Sequence, residues 1–154
     1  MKKLTKRGFG FGVTSGVITT LGIFVGLYSG THSKIIVLLG VISVIIADSF
    51  SDAFGIHISE EFSTKNKAKE IWKQTFSTFI SKLIFGGIFL IPILLLNLKT
   101  AVIVSLIIGG IILSVFSYKI AKQRKDNFWK TIFEHLSIGI FVVVVTYFIG
   151  KWIS

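Results

Sequence analysis

Two aspartates four residues apart, Asp48 and Asp52, lie inside the apolar run that begins at Lys34. Residues at this spacing share one helix face, which Gly55 and Ser59 extend. With the run centred near Ile46, Asp48 lies about 3 Å and Asp52 about 9 Å from the bilayer midplane. Each ionised carboxylate at such depth costs at least ~2.5–3.5 kcal/mol, so intramembrane acids mark ion pathways by default. Two on successive turns also repel. Either one keeps its proton or both share a cation. A hard divalent cation would take carboxylate, hydroxyl and carbonyl oxygens, and Ser49, Ser51, Ser15, Thr19 and Thr20 offer neutral ones. Lys82, in the third run, is the one mid-membrane base and a possible partner for the pair, although it stands near enough to the end of its run to snorkel. The plainer alternative is that the aspartates bond to hydroxyls or backbone and hold helices together.

The elements that must position these residues are membrane helices. Of 154 residues, 52% are hydrophobic and 16% charged, against roughly 25% charged in soluble domains. Five runs are long enough to cross a bilayer: about 8–28, 34–58, 75–96, 100–120 and 128–150, with a kink expected at Pro92. The expectation is an all-α membrane protein, a single five-helix transmembrane domain over 1–154. The opening MKKLTKR is not read as a secretory leader, because the apolar run after it continues to Tyr28. The chain has no cysteine, which removes disulfides and thiolate chemistry.

The basic residues are lopsided. Lys2, Lys3, Lys6 and Arg7 precede the first run; Lys65, Lys67, Lys69 and Lys73 follow the second; Lys119, Lys122, Arg124, Lys125 and Lys130 surround the fourth junction. Only Lys34, Lys99 and Lys151 fall on the other side. The positive-inside rule then puts the N-terminus in the cytoplasm and the C-terminus outside it. The same rule accounts for the net charge of +10 without nucleic acid. The outer loops carry no carboxylate, whereas Glu60, Glu61, Glu70, Asp126 and Glu134 lie on or near the inner side. Acids concentrate cations where they stand, so cations are gathered from the cytoplasm and the direction expected is outward.

Small residues recur at spacings of four, as close helix packing in lipid requires. The first run has Gly12 and Gly16, then Gly22 and Gly26; the second has Ser43, Ala47, Ser51, Gly55 and Ser59. The first run is expected to pack on the second or on a copy of itself. His57, Glu60 and Glu61 share a face at the inner end of the second run and form a candidate ion-collecting mouth, with His57 pointing about opposite to the aspartate pair. Neither a zinc-protease signature nor a phosphate-binding loop is complete. No enzyme chemistry and no resident cofactor is expected.

The stretch TSGVITTLGIFVGLYSG, Thr14 to Gly30, resembles the first-helix pattern of the vacuolar iron transporter family, Asn-Asp-Gly-Leu-Val-Thr followed by spaced glycines. ADSFSDAFGIHIS, Ala47 to Ser59, is similar to that family's second-helix pattern of small residues, Ser-Met-Ala-Ala-Gly-Glu-Tyr and a trailing serine. The specific likeness covers about residues 8 to 61. It implies a homodimer that moves ferrous iron, and often manganese, out of the cytoplasm in exchange for protons, along a pathway at the dimer interface lined by the first two helices. The family's first-helix aspartate falls on Ser15, its second-helix methionine on Asp52 and its second-helix glutamate on Ile56. Loss of a thioether and gain of an oxygen ligand make the site harder, favouring manganese. Asp48 and Asp52 are thus expected to bind the ion, Ser15, Thr19 and Ser51 to line its path, and the divalent metal to be substrate. The alternatives are a non-transporting assembly protein of the same fold and a proton or monovalent-cation pathway.

Overall fold

The computed structural model describes residues 3–63 and 67–154; Lys2 and Lys65 of the basic pattern lie outside them. Six helices follow in order: α1 Lys3–Thr31, α2 Lys34–Phe62, α3 Ala68–Gly87, α4 Leu90–Leu95, α5 Leu98–Arg124 and α6 Phe128–Ile153. Taken with α4 as the continuation of α3, they give five spans long and apolar enough to cross a membrane. No strand occurs among the described residues. Each span outruns its apolar window, because polar end residues complete the helix outside the hydrocarbon.

The helix ends follow from local chemistry. Asn97 and Asn127 cap α5 and α6, their side chains accepting from Thr100 N at 3.0 Å and Trp129 N at 3.0 Å. Such caps satisfy amides that have no partner within the helix. Lys34 Nζ donates to Leu94 O and Leu96 O at 3.1 and 2.9 Å, serving the carbonyl end of α4. The proline expectation is met four residues upstream of Pro92. A proline ring excludes the carbonyl of residue i−4, here Ile88, and the third span breaks between Gly87 and Leu90.

α1 is the centre of the bundle. Half of its apolar window is buried, against 6% for α6, whose Phe141 and Phe148 lie open to lipid. Along α1 from Val17 to Val25, two apolar clusters assemble: Val17, Leu21, Phe89 and Leu113, and beyond them Phe24, Val41, Ile93 and Ala101. The N-terminal half of α1 differs. It meets α3 through Gly8, Gly12 and Gly16, while Gly22, Gly26 and Gly30 meet α6. α1 does pack on the second span, as expected, through Phe24 and Val25 against Val37, Val41 and Ile45; its glycines, however, serve the approach to α3 and α6. The buried face of α3 toward α1 is polar, with Gln74, Thr75, Thr78, Ser81 and Lys82. A close backbone approach is what lets these short side chains be enclosed without voids.

At Gly12 a β-carbon would collide with Ser81 Oγ and the Thr78 carbonyl, whereas at Gly110 it would meet nothing within 4 Å. Gly12→Val is expected to lower stability by about 1–3 kcal/mol, and Gly110→Ala to stay within ~0.5 kcal/mol of the parent. Thermal unfolding of the two purified variants in detergent, beside the parent, checks both.

Candidate functional site

α3 places Lys82 on its buried polar face, and Gly16 sets how closely that face approaches α1. A β-carbon on Gly16 would stand 3.0 Å from the Lys82 carbonyl and 3.3 Å from its Cα. Lys82 is thereby held between α1 and α2. Its side chain is 2% exposed and ion-pairs with both aspartates, Asp48 Oδ2 at 2.6 Å and Asp52 Oδ2. It also donates to Ser15 Oγ at 2.8 Å, and Ser15 Oγ donates to Asp52 Oδ2 at 2.6 Å. Snorkelling of Lys82 is thus corrected: with two carboxylates in reach, the ammonium turns inward rather than toward the membrane surface.

Two features of this cluster matter chemically. Two carboxylates share one ammonium, leaving a formal excess of one negative charge. Asp48 Oδ2 is also buried and, although ion-paired, accepts no aligned hydrogen bond. The aspartate side chains are 26% and 21% exposed in the single chain, so the cluster is open on one flank. That flank adjoins Ser43, Ala47, Ser51, Gly55 and Ser59, all exposed, with nothing within 4 Å of a β-carbon at Gly55. Ala47 and Gly55 therefore make no close helix contact within one chain, in contrast to Gly12, Gly16, Gly22 and Gly26. Among the described residues no three His, Cys, Asp or Glu side chains gather into a metal-binding group. One chain offers two carboxylates and neutral oxygens.

The structure brings Ser15 into the cluster and leaves out Thr19, whose hydroxyl donates to the Ser15 carbonyl at 2.8 Å, and Ser51 on the exposed stripe. His57 does not point away from the aspartate side, as an ideal isolated helix suggests. Its Nδ1 lies 2.9 Å from Thr75 Oγ1 and its ring packs against Trp72, centroids 4.5 Å apart and planes tilted by 60°, so it faces the same helix, α3, as the aspartates do. His57 Nε2 meets Glu61 Oε1 at 3.4 Å, while Glu60 accepts from Gln74 Nε2 at 3.1 Å. The three residues of the expected mouth are thus near one another but tied to different partners.

Lys82, expected as a possible partner of the aspartates, pairs with both, but the polar face of α3 that carries it was not expected. The signal was present: Gln74, Thr75, Thr78, Ser81 and Lys82 repeat at helical spacing within an apolar run, a buried polar face that must be matched by another helix.

The model of the VIT family, the vacuolar iron transporter family, matches residues 52–151, and the chain belongs to that family. No curated protein matches it significantly. The match overlaps the residues that carry the resemblance only from Asp52 onward. It extends the likeness to the last three spans, which resemble the family otherwise only in number and direction. The family is one of membrane metal-ion transporters, and the chain is an integral multi-pass membrane protein.

Removing one partner of a buried ion cluster leaves the others uncompensated, which costs about 3–5 kcal/mol. Lys82→Met is expected to show a loss of that order in thermal or denaturant unfolding. Adding Asp48→Asn and Asp52→Asn to it should restore most of the loss, because no bare carboxylate then remains.

Proposed function

We propose that this chain exports a divalent metal ion, manganese or ferrous iron, from the cytoplasm, with Asp48 and Asp52 as its intramembrane ligands. The observation that carries the reading is that two carboxylates meet one ammonium, where one aspartate would match one lysine. An ammonium and a divalent ion compete for the same oxygens. On this reading Lys82 is a tethered cation that fills the site in the ion-free protein and swings aside when metal arrives. Ser15 supplies a hydroxyl oxygen beside Asp52, at the position where the family's first-helix aspartate falls. Protons leaving the cluster as metal binds would couple flux to a pH gradient. His57, Glu60 and Glu61 gather ions at the cytoplasmic end, under the orientation set by the basic residues.

Two carboxylates make half a site for a cation with six or more oxygen ligands. The proposed completion is a homodimer packed through the uncovered stripe of α2, which brings a second aspartate pair to the first. The chain lacks native cysteine, so single replacements report cleanly. Ala47→Cys and Ser51→Cys are expected to crosslink between copies under mild oxidation, and Phe141→Cys on α6 is not. Equal crosslinking at all three positions would remove the α2 interface.

A second reading has its own support. Lys82 already ion-pairs with both aspartates, as helix-holding charges would, in a protein that kept the fold without transport. Uptake of manganese and ferrous iron into proteoliposomes separates the two. The parent is expected to move metal, and the Asp48→Asn/Asp52→Asn variant, still folded, to lose at least tenfold in rate, about 1.4 kcal/mol. If neither moves metal under a proton gradient of either sign, the cluster is structural. Flux that ignores manganese and iron but carries protons or monovalent ions would point to the third possibility.

A further inference from the structure

A second charged region of opposite sign lies elsewhere on α1. Because Gly22, Gly26 and Gly30 turn to α6, while Gly8, Gly12 and Gly16 turn to α3 and Gly10 to Phe116 of α5, the closest approach of α1 to α6 lies toward the C-terminal end of α1. There Ser29 Oγ donates to the Tyr147 carbonyl at 2.9 Å. At the other end a cleft of about 730 Å³ opens between the start of α1, the end of α5 and the start of α6. Lys6, Arg7, Lys119 and Arg124 line it together with Phe9 and Phe116, and no carboxylate does. Arg124 also pairs with Asp126 at 3.0 Å, and Asp126 and Glu134 line an adjoining space rather than this one. Lys6, Arg7 and Lys119 have no ion-pair partner among the described residues.

Beside the cleft, along the same helices, is a second and separate space. This cavity of about 360 Å³ is lined by aliphatic side chains and two glycines, Gly110 and Gly139. It follows the first along every wall: Thr14 then Ile18 on α1, Phe116 then Leu113 on α5, His135 then Leu136 on α6. Orientation by positive charge requires basic residues near the span ends. It does not require them to converge on one cleft with an apolar shaft below. A basic rim above an apolar shaft matches a molecule with an anionic head and a hydrocarbon tail.

We propose that this cleft is a binding site for an anionic glycerophospholipid. Its phosphate is held by Lys6, Arg7 and Lys119, and an acyl chain runs past Phe9 and Phe116 into the cavity beside Gly110. Basic pockets between membrane helices recognise acidic headgroups in this way, and arginine adds a planar fork suited to phosphate. The site is independent of the aspartate cluster and of the transport reading.

The test uses the purified full chain and native mass spectrometry with added phosphatidylglycerol, phosphatidylcholine or inorganic phosphate. Phosphatidylglycerol is expected to remain bound at one per chain, and phosphatidylcholine to be retained at least tenfold less. The Lys6→Gln/Arg7→Gln/Lys119→Gln variant should hold phosphatidylglycerol roughly a hundredfold more weakly. Lys99→Gln/Lys151→Gln, with charges removed at the opposite end, should hold it as the parent does. Gly110→Leu, which fills the shaft from a position with open space beside it, should weaken the lipid and spare inorganic phosphate. Equal retention of the two lipids, or an unchanged triple variant, would overturn the proposal. So would inorganic phosphate binding as tightly as the lipid with Gly110→Leu having no effect, since the occupant would then be a soluble phosphate.

Discussion

An ammonium group with 2% exposure inside a membrane span constrains everything around it. Water does not reach it, and lipid offers no acceptor, so its partners must come from neighbouring helices. Asp48 and Asp52 answer from α2 and Ser15 from α1. For these short side chains to reach, the α3 backbone has to lie almost against α1, which is why Gly12 and Gly16 stand where they do. The spacing of four between the aspartates keeps both on the face that meets Lys82. One charge thus positions three helices, and it divides α1 in two: a half up to Gly16 that packs on polar side chains, and a half from Val17 that packs on the apolar clusters.

Holding helices together does not by itself require this arrangement. Buried ion pairs add little net stability compared with apolar packing of the same volume, and in lipid the same is true of most interhelical polar contacts. If Lys82 and one aspartate were a clamp, the second carboxylate would add repulsion and desolvation with no positive charge to meet it. A site built to exchange cations has a use for that excess, because the incoming ion must be attracted more strongly than the resident ammonium is held. Asp48 Oδ2 is held by its ion pair with Lys82 and by no further hydrogen bond, so a cation that displaces the ammonium there has nothing else to break.

The five spans were legible because hydropathy over a helix length is a direct statement about solvent, and Pro92 was legible because its ring acts on a defined neighbour. The aspartate pair was legible from depth and spacing alone. The relation between helices was legible only in part: Ser15 and Lys82 meet the aspartates as their chemistry suggests, but the packing of the remaining faces was not. A helical wheel puts His57 opposite to Asp48 and Asp52, yet both meet α3, at Thr75 and Lys82, because helices that cross over their length present different faces to one partner. The glycine spacing announced close packing but not with whom, and only the polar repeat from Gln74 to Lys82 held the answer. The motifs that carry the family likeness lie in the first two spans, while the family match begins at Asp52; the later spans are apolar sequence of similar composition with few distinctive residues.

The two charged regions also explain how a strongly basic chain can keep a negative site. Net charge is +10, and Lys6 and Arg7 are only two turns from Ser15 along α1. Residues on one helix are kept apart by direction, not only by distance: Ser15 turns to Asp52 and Lys82, whereas Thr14 lines the basic cleft with Lys6 and Arg7. The body of α1, packed on α3 on one side and facing α5 and α6 on the other, stands between them. Flexible basic side chains able to reach the aspartates would neutralise the excess charge and abolish any advantage for an arriving ion. Drawing those side chains into a cleft of their own, where an acidic headgroup could engage them, keeps the cluster's field opposed chiefly by Lys82, which the fold holds against both carboxylates.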